Sequence, residues 1–429
     1  MAARCTLELH LDGRWHTAGE LRVFDESRGI ESPSAFDYDI DFLDRFESKL
    51  GARGVHAVSC RYPLGYQAYH DESWPAFLLD VIPSGAARRT WERELGLPNT
   101  ARSDWALLLR GGDNPPGNVR IQEAARSTLT LPDHPGFSRE ELLERSTDFL
   151  DYARMHGASI AGGSGAGGDA PKFLLREDHE GRFHADGALS DARTARAWLV
   201  KFPRSSHQDD RIVLRAERCY HRVATRMGVR THGELEWQRD TLFIPRFDRV
   251  IGAVDGTSTV VRLGLESLCS LAGVAEFGAP IPKERLLTSL VAHATDPISE
   301  IRELVLRDLL DRALGNTDNH ARNTAVLKHT DGHIALSPLY DFAPMFLDTQ
   351  GIARVCRWDS ERAGALDYGA WLETLAQAGL PNAKATLSTF AHRFAELRAI
   401  VREEDVPARV AQRCAPWIDR VTRELEALS

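Results

Sequence analysis

Two polar loops in the second half of the chain constrain its fold more than any other feature. The first loop carries Asp318 and, five residues later, Asn323. The second loop carries Asp341, and between the two loops the dipeptide Asp331-Gly332 predicts a tight turn between paired strands. Because a hairpin returns the chain to its starting point, we expect the three side chains to face one cleft.

Two carboxylates and an amide in one cleft suit the transfer of a phosphoryl group. That reaction needs one carboxylate to orient the attacking hydroxyl and accept its proton, and further oxygen ligands to hold Mg²⁺ against the phosphates. Any one of these residues alone is more often an ordinary polar loop residue. Their order, downstream of a glycine-rich loop and a strand lysine, favours the catalytic interpretation.

The glycine-rich loop precedes that centre by about 150 residues of chain. Gly163, Gly165 and Gly168 fit the pattern G-x-G-x-x-G, with Ser164 between the first two, and glycine lets backbone N–H groups approach phosphate oxygens closely. Alone the pattern is weak and also suits a flexible linker. The residues after it read as a strand, whereas a dinucleotide-binding fold requires a helix there. The order of loop and strand favours a kinase-like ATP site.

A lysine in an apolar predicted strand supplies the next candidate. Burying the ammonium of Lys201 unpaired would be costly, and phosphate together with Glu217 on the next predicted helix would satisfy it. Lys201 could instead reach solvent from an edge strand, and Lys172 is a rival cation. Pro245 and Phe247 follow the next strand, where two lobes would join and backbone atoms would meet adenine. Proline has no N–H to donate, so a neighbour such as Phe247 would have to do so.

Composition excludes several other classes. A net charge of -9 argues against a chain that coats nucleic acid through its overall charge, and we see no direct nucleic-acid signature. Six scattered cysteines form no C-x-x-C pair, so neither a zinc site nor a disulfide framework is predicted. No apolar run approaches the roughly 18 residues of a membrane helix, and the N-terminus does not read as a signal peptide. We therefore expect a cytoplasmic protein with no membrane partner.

The pattern of predicted elements divides the chain into three units. Residues 1–125 should form a small α+β domain, residues 126–255 a β-rich lobe with the glycine-rich loop, and residues 256–429 a helical lobe with the catalytic and metal-binding loops. The predicted fold class is thus α+β, with a bilobal, protein-kinase-like arrangement.

Three local expectations accompany this division. Residues 57–62 read as a strand. Ser138 and Glu141 form a capping-box signature that should open a single helix leading to the glycine-rich loop. Asp308 and Asp311, three apart on a predicted helix, read as a solvated carboxylate pair on its surface.

Together the motifs resemble the HipA family of serine/threonine kinases, known as toxins of toxin–antitoxin pairs. The resemblance spans most of residues 1–350. It is carried by G-N-T-D-N-H-A-R-N, L-S-P-L-Y-D-F, the glycine loop ending in A-P-K, L-V-K-F-P, I-P-R-F-D-R and, near the N-terminus, W-P-A-F-L-L-D-V-I-P-S-G and D-W-A-L-L-L-R-G-G. The resemblance implies a HipA-like fold, ATP and Mg²⁺, a protein substrate and a helix-turn-helix antitoxin partner. It further implies these roles: Asp318 as catalytic aspartate, Asn323 and Asp341 as metal ligands, Lys201 on phosphate with Glu217 as its partner, and His320 near the nucleotide.

The glycine-rich loop departs from the family pattern. It is longer and richer in glycine, with Asp169 where a glutamine is common. Family members can phosphorylate a serine in this loop and so inactivate themselves. Ser164 or Ser159 could take that part here, and the added charge of about -1.5 to -2 would displace or reorder a loop whose amides hold ATP.

Two other interpretations stay open at this point. A small-molecule phosphotransferase of the aminoglycoside type also places aspartate and asparagine on such a loop. A kinase-shaped binding module acting with a DNA-binding antitoxin is the non-enzymatic alternative, although the combined presence of Asp318, Asn323, Asp341, Lys201 and Glu217 weighs against it.

Overall fold

The computed structural model describes residues 2–128, 134–155, 159–160, 171–348, 351–362 and 364–428. They form an N-terminal α+β domain, a β-rich lobe and a mainly helical lobe, each around its own hydrophobic core. None of the helices in these ranges is both long enough and apolar enough to cross a membrane.

The N-terminal domain is built on an antiparallel sheet with strand order β4-β3-β2-β1-β5. Leu7, Leu9 and Leu11 of the first strand belong to the core of this domain, and Asp12 and Gly13 both have positive φ in the turn that follows. The elements are β1 (Ala3–Leu11), β2 (Arg14–Val23), β3 (Ser34–Tyr38), α1 (Ile40–Arg45), β4 (Tyr69–Asp71), α2 (Gly85–Leu95), α3 (Asp104–Gly111), β5 (Val119–Ile121) and α4 (Gln122–Thr128), with a 3-10 helix at Ala76–Asp80.

The second unit is a lobe whose sheet has the order β10-β11-β9-β7-β6, with β8 paired to β7. A long helix, α7 (Gln208–Arg226), lies beside this sheet. A separate hairpin of β12 (Arg249–Val254) and β13 (Thr257–Arg262) comes after the last strand of the sheet. The elements are α5 (Arg139–Glu144), α6 (Thr147–Met155), β6 (Ser159–Ile160), β7 (Lys172–Asp178), β8 (Phe183–Ala185), β9 (Thr194–Lys201), α7 (Gln208–Arg226), β10 (Glu236–Gln238), β11 (Thr241–Pro245), β12 (Arg249–Val254) and β13 (Thr257–Arg262).

The helical lobe contains the predicted hairpin, formed by β15 (Ala325–Lys328) and β16 (Ile334–Leu336). A third strand, β14 (Gly264–Ser267), pairs with β15 and gives the order β14-β15-β16. The elements are β14 (Gly264–Ser267), α8 (Leu268–Leu271), α9 (Lys283–His293), α10 (Pro297–Leu314), β15 (Ala325–Lys328), β16 (Ile334–Leu336), β17 (Glu361–Arg362), β18 (Ala365–Leu366), α11 (Tyr368–Gln377), α12 (Ala383–Glu403) and α13 (Ala408–Glu426). The predicted fold class, α+β with a β-rich lobe and a helical lobe, is therefore confirmed.

The expected strand at 57–62 is wrong, because its backbone N–H groups bond to local turns, to the Tyr38 hydroxyl and to a buried carboxylate, and not to a neighbouring strand. Glu266 on β14 accepts from the hydroxyl of Ser59 at 2.5 Å and from the N–H of Cys60 at 2.8 Å. Ser270 also donates to it, and Lys328 lies 3.5 Å away. This cluster ties the N-terminal domain to the helical lobe.

The expected single helix after the capping box is two helices. Ser138 and Glu141 make the reciprocal capping bonds as predicted, but Arg145 adopts a left-handed conformation (φ 54°) that ends α5. The hydroxyl of Ser146 then accepts from Phe149 N at 3.2 Å and begins α6.

Asp308 is not the solvated residue that the helical spacing suggested. It is 1% exposed on α10, where its carboxylate accepts from Lys283, from Arg312 and Arg354 at 2.9 Å, and from the Trp358 indole at 2.9 Å. These partners neutralise it, which is the condition for burying a carboxylate.

Candidate active site

The loop that carries Asp318 and Asn323 begins where α10 ends. Gly315 closes the helix in a left-handed conformation (φ 68°), and a side chain there would collide with Trp417 and Phe346. The loop then turns so that the amide of Asn323 donates to the backbone oxygen of Asp318 at 2.8 Å. That bond spans the loop and fixes the spacing between the two predicted site residues.

The hairpin β15–β16 returns the chain to this loop, as the sequence predicted. It brings Asp341 to the same small cavity that Asp318 and Asn323 line. Asp341 has a positive φ of 52°, a conformation that non-glycine residues seldom adopt and that is often found at functional sites. The three residues expected to share a cleft therefore do so.

Asp341 also joins the two lobes through a pair of lysines. Lys172 at the start of β7 lies 3.2 and 3.1 Å from its two carboxylate oxygens, and Lys201 at the end of β9 contacts it too. Lys201 also donates to Glu217 of α7 at 2.5 Å. Both rival cations thus contact one carboxylate, and Lys201 also pairs with Glu217 on the predicted partner helix.

The charges of this group balance in a buried environment. Burial opposes ionisation of Asp341, but Lys172 and Lys201 outweigh it and hold the pKa of Asp341 well below its usual range. Burial likewise opposes the charge of Lys201, yet Asp341 and Glu217 raise its pKa. For Glu217 the effect of burial prevails, and its pKa is raised.

Within the described part of the chain, Asp318 has no ammonium partner at such short range, and its titration differs accordingly. Burial first, and the negative charge of Asp341 second, raise the pKa of Asp318 to about 7. His320 lies beside it, with Nε2 3.5 Å from the carboxylate, and burial lowers the pKa of His320 to about 3. The imidazole is therefore neutral at physiological pH. It lines the small cavity with Asp318 and lies away from the larger cleft described next.

A larger cleft opens from Lys172 and Asp341 toward the strand that joins the lobes. Its walls include Leu174 and Leu199 from the β-rich lobe, Ala325 from the helical lobe, and the joining segment with Pro245 and Phe247. The N–H of Arg246 between those two residues is already bonded to Ala197 O at 3.0 Å. Lys172 and Asp341 thus lie at one end of a cleft whose lining is mainly apolar, and Asp113, Arg246 and Asp248 add charged side chains elsewhere along it.

Asn323 offers an oxygen that suits a cation. Its Oδ1 is buried and has no hydrogen-bond partner among the residues the structure describes, although it lines the same cavity as the Asp341 carboxylate. An unsatisfied buried acceptor next to carboxylates fits the oxygen ligands that Mg²⁺ prefers. No cluster of three or more His, Cys, Asp or Glu residues with metal-binding geometry occurs within the described ranges.

Two residues of the first loop have contacts that spacing alone did not indicate. Asn319 bonds the backbone after the second loop: it accepts from Val355 N at 2.9 Å and donates to Cys356 O at 2.6 Å. Arg322 reaches the N-terminal domain, where it donates to Leu79 O at 2.7 Å. From the sequence, Asn319 and Arg322 are recognisable only as polar residues of the loop predicted to be catalytic, and their contacts are not.

Part of the predicted ATP site lies outside the described residues. Gly163, Ser164, Gly165 and Gly168 belong to that part of the chain. For Ser159 only the backbone is described, as part of β6. Their predicted roles stay predictions.

Comparison with known proteins gives two family matches and a structural relative. The family described as HipA-like C-terminal domain matches residues 164–413, and the family described as HipA N-terminal domain matches residues 16–122. HipA of Shewanella oneidensis MR-1, solved in a complex of the toxin–antitoxin system HipA, HipB and its operator DNA, is 17% identical over 98% of this chain and 97% of its own, with a TM-score of 0.66.

A second solved structure is more distant. The Helicobacter pylori proinflammatory kinase CtkA is 11% identical over 62% of this chain and 92% of its own, and its TM-score of 0.35 is too low to support an argument. No curated protein sequence matches the chain significantly.

Proposed function

The chain belongs to the HipA family, and we propose that it is an ATP- and Mg²⁺-dependent serine/threonine protein kinase that acts as the toxin of a toxin–antitoxin pair. One observation carries the proposal: Asp318, Asn323 and Asp341 meet in one cavity, and Asp341 contacts the Lys201–Glu217 pair of the other lobe. Phosphoryl transfer requires this combination of carboxylates, amide and lysine.

In this proposal Asp318 orients the acceptor hydroxyl and takes its proton. A pKa of about 7 leaves a large fraction of the carboxylate ionised at neutral pH, yet makes it a far better proton acceptor than an ordinary aspartate. Neutral His320 beside it adds no competing positive charge. General-base action of this kind contributes about 10²–10⁴-fold in rate.

Asn323 and Asp341 would hold Mg²⁺, which when bound neutralises the developing phosphate charge. The unsatisfied Oδ1 of Asn323 and the ionised carboxylate of Asp341 support that assignment. Lys172 and Lys201 would bind phosphate oxygens, since Lys172 lines the cleft and both ammonium groups contact Asp341 at its end. Glu217 keeps Lys201 in place by pairing with it in the buried interior.

We place the adenine in the apolar part of the cleft, against Leu174, Leu199 and Ala325, with backbone contacts from Pro245 and Phe247. The loop at Gly163, Gly165 and Gly168 would cover the phosphates. Autophosphorylation of Ser159 or Ser164 remains part of the proposal. Mass spectrometry of the protein after incubation with Mg-ATP tests it, and the absence of phosphate on both serines contradicts it.

The partner is also a proposal. The Shewanella oneidensis relative was solved with HipB and operator DNA, so we propose a DNA-binding antitoxin as the partner of this chain. Family membership supports it, because toxins of such pairs are held by an antitoxin. Co-expression with a helix-turn-helix protein encoded nearby, followed by purification of a complex, would test it.

Phosphoproteomics after incubation with Mg-ATP in cell extract tests the kinase proposal itself. We expect new phosphoserine or phosphothreonine sites with the wild type and none with Asp318→Asn. Asp331→Asn provides the matched control, because Asp331 is an exposed aspartate in the hairpin turn and should leave activity unchanged. Phosphorylation that persists in Asp318→Asn would contradict the assignment.

A further inference from the structure

The cleft proposed to bind ATP has a wall that neither lobe supplies. Eleven residues of the N-terminal domain line it. Six are apolar, namely Val81, Ile82, Pro83, Ala87, Pro115 and Pro116, and the others are Asp80, Ser84, Gly111, Asp113 and Asn114. Leu174, Leu199 and Ile244 of the β-rich lobe line the same cleft, so it is enclosed by three units and not by two.

The first wall segment is held to the catalytic loop. Arg322 donates to Leu79 O at 2.7 Å and lies 3.3 Å from the Ser84 hydroxyl, on either side of Ile82. Asp80 accepts from Ser267 N of the helical lobe at 2.9 Å. These contacts bracket residues 79–84 between the catalytic loop and β14.

The second wall segment is held to the strand that joins the lobes. Gly117, directly after Pro115 and Pro116, donates to Asp248 at 2.7 Å and accepts from Arg249 at 2.8 Å. Asp248 and Arg249 are both buried. Because charge-assisted bonds of this kind are strong when buried, the wall is part of the rigid site and not a loosely attached neighbour.

We infer that the N-terminal domain is a nucleotide-binding element: Ile82, Ala87 and the Pro115-Pro116 pair contact the base and ribose of ATP. This inference rests on the proposed function. Phosphates belong at the end with Lys172 and Asp341, so the apolar length of the cleft faces the flat, weakly polar part of the nucleotide. A wall of side chains there removes the base from water and sets how much space it has.

Affinity for Mg-ADP, measured by isothermal titration calorimetry, tests the inference. Ile82→Ala removes three carbons from the wall, and we expect affinity to fall about tenfold. Leu21→Ala is the matched control: Leu21 is fully buried in β2 of the same domain, does not line the cleft, and should leave affinity unchanged. Affinity of Ile82→Ala within twofold of the wild type would overturn the inference and leave the kinase proposal standing.

A measurement on the unaltered protein covers the case in which a variant does not fold. Saturating Mg-ADP should slow amide hydrogen exchange at residues 79–87. Unchanged exchange there, in protein shown to be saturated, overturns the inference alone. Failure of the wild type to bind Mg-ADP at all would overturn both the inference and the proposed function.

Discussion

Replacing Asp308 by asparagine should destabilise the helical lobe strongly, although Asp308 lies outside the cleft. Its carboxylate is 1% exposed and receives hydrogen bonds from Lys283, Arg312, Arg354 and the Trp358 indole. Asparagine has nearly the same shape but no charge, and it turns an N–H group toward cationic donors. The buried Lys283 and the half-buried Arg312 and Arg354 therefore lose their shared anion.

The expected loss follows from the cost of breaking a buried ion pair, about 3–5 kcal/mol. Arg312 keeps a second partner, Glu361, at 2.5 Å, so the lower end of that range applies and we expect about 3 kcal/mol. The cations hold the pKa of Asp308 well below its usual range even though burial opposes ionisation. The stabilisation by the ionised Asp308 carboxylate is therefore fully present above the unfolded-state pKa of about 4. As pH falls below that value, the difference in the free energy of unfolding between wild type and variant should shrink.

Urea-induced unfolding at pH 7, followed by tryptophan fluorescence, measures the difference. Asp209→Asn is the control, because Asp209 pairs with Arg409 on the surface and such pairs contribute about 0–1 kcal/mol. Equal and small effects of the two substitutions would refute the reasoning that Asp308 neutralises a buried cluster.

Three further predictions concern the site. Because burial and a neighbouring carboxylate raise the pKa of Asp318 to about 7, kcat/KM should rise about tenfold per pH unit below 7 and level off above it; a flat profile from about pH 5.5 to 8.5 would contradict this. Glu217→Gln removes the charge that holds Lys201, so kcat should fall about tenfold or more while nucleotide still binds, and steady-state kinetics at saturating Mg-ATP will show whether it does. Asn319→Leu removes the bonds to the backbone around Cys356 at the cost of about 1–3 kcal/mol locally; faster amide exchange at 354–358 is expected, and unchanged exchange would mean that the bonds do not hold this segment.

The elements of the site that the sequence could predict are those set by local pattern. Spacing placed Asp318 and Asn323 on one loop, and Asp331-Gly332 predicted the hairpin that returns Asp341 to them, because a turn and its strands are decided by neighbouring residues. The contact between Lys172 and Asp341 joins residues 169 apart, and no local pattern encodes it. The sequence could only treat Lys172 as a rival of Lys201, whereas the structure places both on the same carboxylate.

Asp308 shows why the remaining errors arose. Two acids three apart on a helix normally mark its solvated face. Here the partners that make burial possible are Lys283, Arg354 and Trp358, which lie 25 to 50 residues away. The strand expected at 57–62 failed for the same reason, since Glu266, which accepts from the Ser59 hydroxyl and the Cys60 N–H, lies more than 200 residues later.

The bond from Arg322 to Leu79 also has a consequence for the newly made chain. The two residues are 243 positions apart, so a ribosome adding about 5–20 residues per second needs about 12–50 s to make the second after the first. The N-terminal domain has its own core and can be complete by then, whereas the loop with Asp318 meets its anchor only when most of the chain has emerged. Chains cut short before residue 341 therefore lack part of the proposed catalytic centre, even though their N-terminal domain can already be folded.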